Sequence, residues 1–371
     1  MSLTSQIADR SSPLSLFFED HLPYWQDSVA HLRRTLGKAP TPVRPPWPDG
    51  VKPPWGLIGR GIDERIRLMT GPTRTVLLRP DDRHSARLQR AELGYVLSFL
   101  RAALRHRSDE VRTAVEAATA ALAASLDTRQ GTGAQDEEVL ARHCYLAAMF
   151  DVRGGIEPTI DWLLRDGAAT TLDSWAAAVP DAAVEDLVQL AGLAAPVFAP
   201  LAVALPAERK VAAPLFTGSR DVGGADADLI LGGMIVDCKA TIRPHRIGRA
   251  ELYQLIGYAL LDYDDIYQLD SAALYLARTG TLVRWDLDEL LDLTGAEMGI
   301  GDLRDALART LQTARAARRE ALAARWEAHR ASQPGRSPVL AAWREELYSR
   351  LHTTMLATLK ADAAPDGGNG E

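Results

Sequence analysis

The stretch GGADADLILGGMIVDCKAT, residues 223–241, decides the fold. Two short apolar runs flank the pair Gly232 and Gly233, and a glycine pair between β-prone runs is typical of a two-residue hairpin turn. We therefore expect two antiparallel strands here. Acids and an amine stand at the ends of this apolar hairpin, and they need a separate explanation.

Alternation along the strands predicts where these charged side chains lie. Counting outward from the turn places Asp228 opposite Asp237. Asp237 and Lys239 are two residues apart, so their side chains share one face of the strand. Cys238 lies between them and is expected to be a small core residue whose side chain points away from the acids.

Carboxylates gathered at a strand end form the hard-oxygen site that Mg²⁺ or Mn²⁺ prefers. Such an ion polarises phosphoryl oxygens and activates water, and a nearby lysine stabilises developing charge. The chemistry indicated is hydrolysis of a phosphodiester. The alternative is a solvent-exposed ion pair on an edge strand, which contributes little energy.

Working outward, the chain alternates helical and strand patterns. Residues 211–219 predict a strand before the hairpin, and residues 249–262 predict a helix after it. The stretches SAALYLART and TLVRWDL, with Gly280 between them, predict a further strand pair. Apolar spacing predicts another helix at about 58–70. The expected fold class is α/β, a mixed β-sheet core flanked by helices.

Five segments follow from these patterns. They are an N-terminal helical segment with a proline-rich arm (1–56), a first core helix region (57–83), a helical insertion (84–204), the sheet core (205–298), and C-terminal helices with a tail (299–371).

Composition excludes several classes of protein. Cys144 and Cys238 are the only cysteines, too few for a disulfide framework, a zinc ribbon or a four-cysteine iron–sulfur cluster. The N-terminus lacks a secretory signal, and no apolar segment is expected to approach membrane-spanning length, so we expect a cytoplasmic protein without membrane contact. The net charge of −7 means that any nucleic-acid surface must be local. The loop with Arg243, Arg246 and Arg249 is suited to phosphate contacts, or is a generic basic loop.

Three motifs resemble the PD-(D/E)XK nucleases, in particular their RecB-like branch. DLILGGMIVDCK resembles the pattern in which one acid opens a strand and an acid-x-Lys triplet ends the next. ELYQLIGYALL is similar to the Q-x-x-x-Y motif, here Gln254 and Tyr258. IGRGIDERIRLM resembles the first motif of that branch, with Asp63 where many relatives have histidine. The resemblance covers roughly residues 55–70 and 205–290.

The resemblance implies a restriction-endonuclease-like fold and a role for each motif residue. Asp228 and Asp237 would be metal ligands, with the backbone carbonyl of Cys238 as another. Lys239 would be the catalytic amine, and Asp63 would complete the metal shell; Asp63 pairing with Arg67, or Glu64 as the acid, remain alternatives.

Gln254 and Tyr258 would serve the site and contact DNA. The implied function is a Mg²⁺- or Mn²⁺-dependent nuclease acting on DNA, in a phage-defence or repair system. The alternative is a non-catalytic, nuclease-derived module that binds DNA or acts as a scaffold for protein partners.

Overall fold

The computed structural model describes residues 2–37, 39–71, 103–128, 137–150, 157–164, 170–225 and 227–331. The start of the predicted helical insertion, residues 84–102, and the end of the predicted C-terminal helices and tail, residues 332–371, lie outside these residues.

The helices of the described part alternate with short strands only in its second half. Their bounds are α1 Leu3–Ala8, α2 Pro13–His21, α3 Trp25–Leu36, α4 Trp55–Thr70, α5 Asp109–Thr128, α6 Glu137–Met149, α7 Glu157–Leu164, α8 Leu172–Ala177, α9 Asp181–Ala204, α10 Arg249–Leu261, α11 Leu287–Thr294 and α12 Ile300–Ala331. The strands are β1 Lys210–Ala212, β2 Leu229–Leu231, β3 Met234–Lys239, β4 Ser271–Leu276 and β5 Thr281–Asp286. The fold class is mixed α/β, as predicted.

The five strands form one sheet in the order β1-β2-β3-β4-β5. Strands β3 and β4 are parallel, and the other neighbouring pairs are antiparallel. A parallel pair needs a crossover connection, and α10 supplies it between β3 and β4. This crossover brings a helix over the strand that carries Asp237 and Lys239.

The hairpin predicted from the glycine pair is confirmed. Leu231 pairs with Met234 and Leu229 pairs with Val236, which is the register counted from the turn. Both turn glycines have positive φ, 64° at Gly232 and 102° at Gly233, a conformation that side chains other than glycine rarely adopt.

The strand predicted over 211–219 is wrong beyond its first residues. Strand β1 covers only Lys210–Ala212. Ala213 has a φ of 45°, and Pro214 follows it without an amide donor, so the ladder stops there. The helix predicted at 58–70 begins earlier, at Trp55, and ends at Thr70, where Gly71 follows with a left-handed φ of 57°.

Helices cover both faces of the sheet. Val236 and Cys238 point to one face, in the cluster of Ile62 and the other buried residues of α4, α6 and α9. Ile235 points to the opposite face, in the cluster of Leu252 and helices α1, α2, α3, α10, α11 and the first part of α12. Most of the described residues between α4 and β1 are helical.

Helix α9 corrects the expectation that no apolar segment approaches membrane-spanning length. It is 24 residues long, and an 18-residue window within it has a mean hydropathy of 1.9, high enough for a membrane span. Asp181, Glu185 and Asp186 lie near its N-terminus, so charges do not interrupt the remainder. A buried core helix can have the same composition, and Asp186 is fully buried in an ion pair with Arg278.

The chain divides into two compact units, residues 1–312 and 313–371. The first contains the sheet and both hydrophobic clusters. The second is described only over residues 313–331, which are helical.

Candidate metal centre

Asp228 and β3 are joined by a hydrogen bond across the open end of the hairpin. The backbone N–H of Cys238 donates to Asp228 Oδ2 at 2.7 Å. In an extended strand the N–H and C=O of one residue point to the same edge, so the Cys238 carbonyl is directed toward the Asp228 side of β3. The next residue faces the other edge, where the Lys239 carbonyl accepts from Ala277 N at 3.1 Å.

Helix α4 brings Asp63 to this place from far away in the sequence. The carboxylate oxygens of Asp63 and Asp228 and the Sγ of Cys238 all lie within 4.8 Å of one another. Glu64 instead pairs with Arg67 at 2.6 Å, and Arg67 Nε donates to the Asp228 carbonyl at 3.3 Å. The geometry therefore favours Asp63 over Glu64 as the third acid, and Arg67 fastens α4 to the start of β2.

On the other face of β3, four side chains contact one another in a line from the sheet to α10: Asp237, Lys239, Gln254 and Tyr258. Lys239 Nζ lies 2.6 Å from Asp237 Oδ2, at ion-pair distance but without hydrogen-bond angles. The same ammonium donates to Gln254 Oε1 at 3.2 Å, and Gln254 Nε2 donates to the Tyr258 hydroxyl at 2.7 Å. The Tyr258 ring stacks on Phe216, with 5.8 Å between centroids.

The helix spacing explains this line. Gln254 and Tyr258 are four residues apart, so they share one face of α10. The Glu251 carboxylate accepts from Gly248 N at 2.9 Å and fixes the start of that helix directly after the loop that follows β3. The structure thus brings Asp237, Lys239, Gln254 and Tyr258 together as their spacing in sequence suggested.

Burial dominates the protonation equilibria of these groups. It raises the pKa of Asp63 well above its usual range, and the Asp228 carboxylate adds to this effect. It raises the pKa of Asp237 to about 6, although Lys239 opposes the change. Burial also acts to lower the pKa of Lys239, but Asp237 and Asp228 outweigh it and the pKa is raised. Lys239 is a cation at neutral pH. Because burial disfavours the charged forms of Asp63 and Asp237, additional positive charge near these carboxylates would stabilise them.

The environment of Cys238 differs from its prediction. Its side chain does lie on the face opposite Asp237 and Lys239, but that face is not free of acids because α4 delivers Asp63 to it. Burial, with Asp63 and Asp228, raises the pKa of the Cys238 thiol well above its usual value. The expected apolar core residue is a thiol beside two carboxylates.

The three arginines predicted as phosphate contacts have different surroundings. Arg243 and Arg246 are exposed in the loop after β3. Arg249 is the first residue of α10, where its guanidinium pairs with Glu19 at 3.0 Å and lies over the Tyr253 ring, 4.7 Å from its centroid. Its side chain is only 9% exposed. The Arg249 side chain is therefore engaged within the protein, unlike those of Arg243 and Arg246.

Sequence reasoning missed the ion pair that fastens the other side of the site. Arg278 donates two 2.8 Å hydrogen bonds to Asp186 of α9 and a 3.1 Å bond to the carbonyl of Ala240, immediately after Lys239. Its guanidinium also lies over the Trp55 ring at the start of α4. A usable signal was present for Arg278, which is a lone charge after the apolar stretch AALYLA. Asp186 follows Glu185 directly, and only the apolar stretch LVQLAGLAAPVF after it indicates that it is buried.

No family model, no curated protein and no solved structure matches this chain. The functional assignment rests on the geometry of the site and on the motifs in the sequence.

Proposed function

We propose that this protein is a divalent-metal-dependent nuclease that hydrolyses phosphodiester bonds, with DNA as the favoured substrate. The observation that carries the proposal is the approach of Asp63, Asp228 and the Cys238 main chain at one end of β3, with the ion pair of Asp237 and Lys239 on the same strand.

The order of elements supports a restriction-endonuclease-like core. A helix that contributes an acid, α4, is followed by the antiparallel meander β1–β3. The crossover α10 then leads to β4, parallel to β3. The acid-x-Lys triplet occupies the end of β3, and Gln254 and Tyr258 lie on the crossover helix, which is the arrangement that the PD-(D/E)XK resemblance implies.

The donor atoms fit Mg²⁺ or Mn²⁺. Asp63 and Asp228 offer carboxylate oxygens and Cys238 offers a backbone carbonyl, and these hard ions prefer such oxygen ligands; Asp237, the other ligand expected from the sequence, is not in the group of donors within 4.8 Å of one another. Desolvation of the acids is a cost that a bound cation offsets, because it stabilises their charged forms. When bound, the ion supplies Lewis-acid chemistry: it polarises a phosphoryl oxygen and lowers the pKa of water.

Lys239 acts as a fixed cation rather than as a base. Its pKa is raised by Asp237 and Asp228, so it is protonated wherever these acids are charged. Asp237 and Gln254 hold the ammonium from two sides. A preorganised ammonium stabilises charge that develops on the phosphoryl oxygens and orients the attacking water. Tyr258 keeps the Gln254 amide turned so that its oxygen, not its nitrogen, meets Lys239.

Arg243 and Arg246 extend this site toward a nucleic-acid backbone. Both are exposed, and both follow within seven residues of Lys239. Guanidinium groups bind phosphates well, and such contacts position a strand without reading its sequence. Because the net charge of the chain is −7, a local basic loop of this kind is needed for approach to a polyanion.

A cleavage assay tests the proposal. The full chain is incubated with Mg²⁺ or Mn²⁺ and labelled single-stranded DNA, double-stranded DNA or RNA. We expect the parent to cleave DNA in the presence of metal. Lys239→Ala should cleave about 10²–10³-fold more slowly because one preorganised charge is lost. Lys52→Ala removes an exposed lysine of the proline-rich arm and should retain the parent rate.

The same assay separates the nuclease from the alternative. Circular dichroism confirms that the variants are folded, and filter binding measures affinity for each nucleic acid without metal. Binding without cleavage in either metal, with Lys239→Ala indistinguishable from the parent, would replace the nuclease with a DNA-binding or scaffold module.

A further inference from the structure

Cys238 places a buried thiol at the proposed metal centre. The residue is 9% exposed, and its Sγ lies within 4.8 Å of carboxylate oxygens of both Asp63 and Asp228. The three donors come from separate elements: α4, the approach to β2, and β3. Among the described residues, no hydrogen bond involves this Sγ. The thiol therefore lies beside the two carboxylates without a hydrogen bond to either.

The second cysteine shows that this placement is specific. Cys144 is fully buried in the same hydrophobic cluster on α6. In the part of the chain that the structure describes, the cluster of possible metal ligands includes Cys238 and not Cys144. A cysteine that only fills core volume needs no carboxylates beside it, whereas Cys238 has two, whose charge is partly offset by Arg67, Lys239 and the Cys238 N–H.

The neighbouring strand supplies a related observation. Tyr275 pairs with Cys238 in the parallel ladder, so both side chains point to the same face of the sheet. Its hydroxyl is fully buried and has no hydrogen-bond partner among the described residues. On this face of the sheet, the Cys238 thiol and the Tyr275 hydroxyl are thus two adjacent groups without a hydrogen-bond partner among the described residues.

Ligand softness distinguishes this donor set from the oxygen set of the proposed nuclease. Mg²⁺ takes oxygen ligands and gains little from sulfur, whereas zinc and its heavier relative cadmium bind thiolates together with carboxylates. Donor atoms around one tetrahedral zinc ion are about 3.5 Å apart, from bond lengths of roughly 2.0–2.3 Å. Donors already within 4.8 Å need only small side-chain movements to reach this spacing.

We infer that Asp63, Asp228 and the Cys238 thiol form a binding site for a thiophilic divalent ion of the zinc class. On binding, the Sγ–H bond breaks, a metal–sulfur bond forms, and the proton passes to solvent, with no change of oxidation state. Because Asp63 and Asp228 belong to both donor sets, the soft ion competes with Mg²⁺ for the same acids. That consequence rests on the proposed function; the binding of the soft ion does not.

Cadmium binding to the metal-free full chain tests the site directly. A cadmium–thiolate bond gives an ultraviolet charge-transfer band that cadmium–carboxylate bonds do not give. We expect the parent and Cys144→Ser to develop this band on titration with Cd²⁺, saturating at one ion per chain, and Cys238→Ser to lack it. Asp63→Asn keeps the thiol, so the band should form with an affinity lower by roughly 10–100-fold.

These titrations test the inference even if one variant folds poorly, which circular dichroism would detect. Failure of the parent to develop the band, or an unchanged band in Cys238→Ser, would overturn it. So would loss of the band in Cys144→Ser, or an unchanged affinity in Asp63→Asn.

A second measurement connects the site to cleavage. The rate with Mg²⁺ is measured with and without added Zn²⁺, and the ratio is compared between variants. We expect Zn²⁺ to inhibit the parent and Cys144→Ser at least 10-fold more strongly than Cys238→Ser. A parent that binds cadmium through Cys238 but cleaves nothing would remove the nuclease and keep the soft-metal site, so the two proposals fail separately.

Discussion

The ion pair of Arg278 with Asp186 and the ion pair of Lys239 with Asp237 lie on either side of the end of β3, and they are built differently. In the first, both side chains are fully buried, two parallel 2.8 Å hydrogen bonds join them, and Arg278 also donates to the Ala240 carbonyl. In the second, a single close contact joins the charges, and the lysine is 26% exposed.

The difference separates a structural role from a reactive one. A bidentate pair inside a shell of carbonyl acceptors satisfies both of its charges, so it holds α9 and β4 in one arrangement. Among the described residues, Asp237 has Lys239 as its ion-pair partner and its Oδ2 has no hydrogen bond of good geometry, and burial raises the pKa of Asp237 to about 6. Incomplete compensation is costly for a folded protein, and it leaves the carboxylate able to gain from a cation.

The largest expected effect comes from breaking the structural pair. Asp186→Asn should lower the free energy of unfolding by ~3–5 kcal/mol, because Arg278 remains charged and fully buried without its counter-ion. Urea denaturation measures the change. Asp181 lies on the same helix as Asp186 and forms an ion pair with Arg142 of α6. Asp181→Asn should lower the free energy of unfolding by no more than about 0.5 kcal/mol because the Asp181 side chain is 94% exposed.

A double variant sharpens the interpretation. Replacing both charges, as in Asp186→Leu with Arg278→Met, should recover most of the lost stability, since apolar side chains of similar size need no counter-ion. A decrease of less than about 1 kcal/mol in the free energy of unfolding for Asp186→Asn would show that this ion pair does not hold α9 against the sheet.

The second effect is a pH dependence that should belong to Asp237. Its folded-state pKa of about 6 lies above the value of 3.8 of an aspartate exposed to water, so the folded state binds more protons between these values. The stabilisation that comes from protonated Asp237 is then fully present below about pH 3.8 and is lost as the pH rises through about 6. Its size is ~1.4 kcal/mol per unit of difference between the folded and unfolded pKa of this residue. Urea midpoints of metal-free protein, taken with a chelator at several pH values, measure it.

Asp237→Asn should reduce this loss without abolishing it, because the pKa of Asp63 is raised as well. At pH 7.5 and without metal, the variant should be at least as stable as the parent, the opposite of the result for Asp186→Asn. A parent whose stability is flat or rises from pH 4.5 to 7.5, relative to Asp237→Asn, would remove the distinction between the two pairs.

The smallest expected effect concerns the far end of the lysine's hydrogen-bond line. Tyr258→Phe removes the acceptor of the Gln254 amide and should slow cleavage about 3- to 10-fold, equivalent to roughly 0.5–1.5 kcal/mol. Tyr253→Phe is the matched control on α10: its hydroxyl donates to the Leu22 carbonyl, away from the site. It should lose stability and keep its rate; equal slowing in both variants would assign the effect to general loosening of α10.

Local patterns in the sequence were sufficient for the hairpin and for the line on α10. The glycine pair determines the turn, the turn determines the register, and alternation then fixes which side chains share a face. The spacing of Gln254 and Tyr258 likewise fixes one helix face. These features depend on neighbours within a few residues, which is why they could be predicted.

Features that depend on distant segments could not be predicted by the same means. Alternation gives the face of Cys238, but not that α4 places Asp63 over that face. The pairing of Arg249 with Glu19 depends on how α2 packs against α10, and that of Arg278 with Asp186 on how α9 packs against the sheet. The position of Asp63 was suggested only by a family resemblance, since no local pattern links α4 to the hairpin.

The hydrogen bond between Arg67 and Asp228 spans 161 residues of sequence. Joining segments this far apart costs chain entropy before any contact compensates for it, so such contacts form slowly and late. During synthesis, α4 is complete long before the hairpin exists, and a nascent chain that stops short of Asp228 carries Asp63 without Asp228 or Cys238. The proposed metal centre thus cannot form in any chain that ends before Cys238, and it needs the two distant segments to meet.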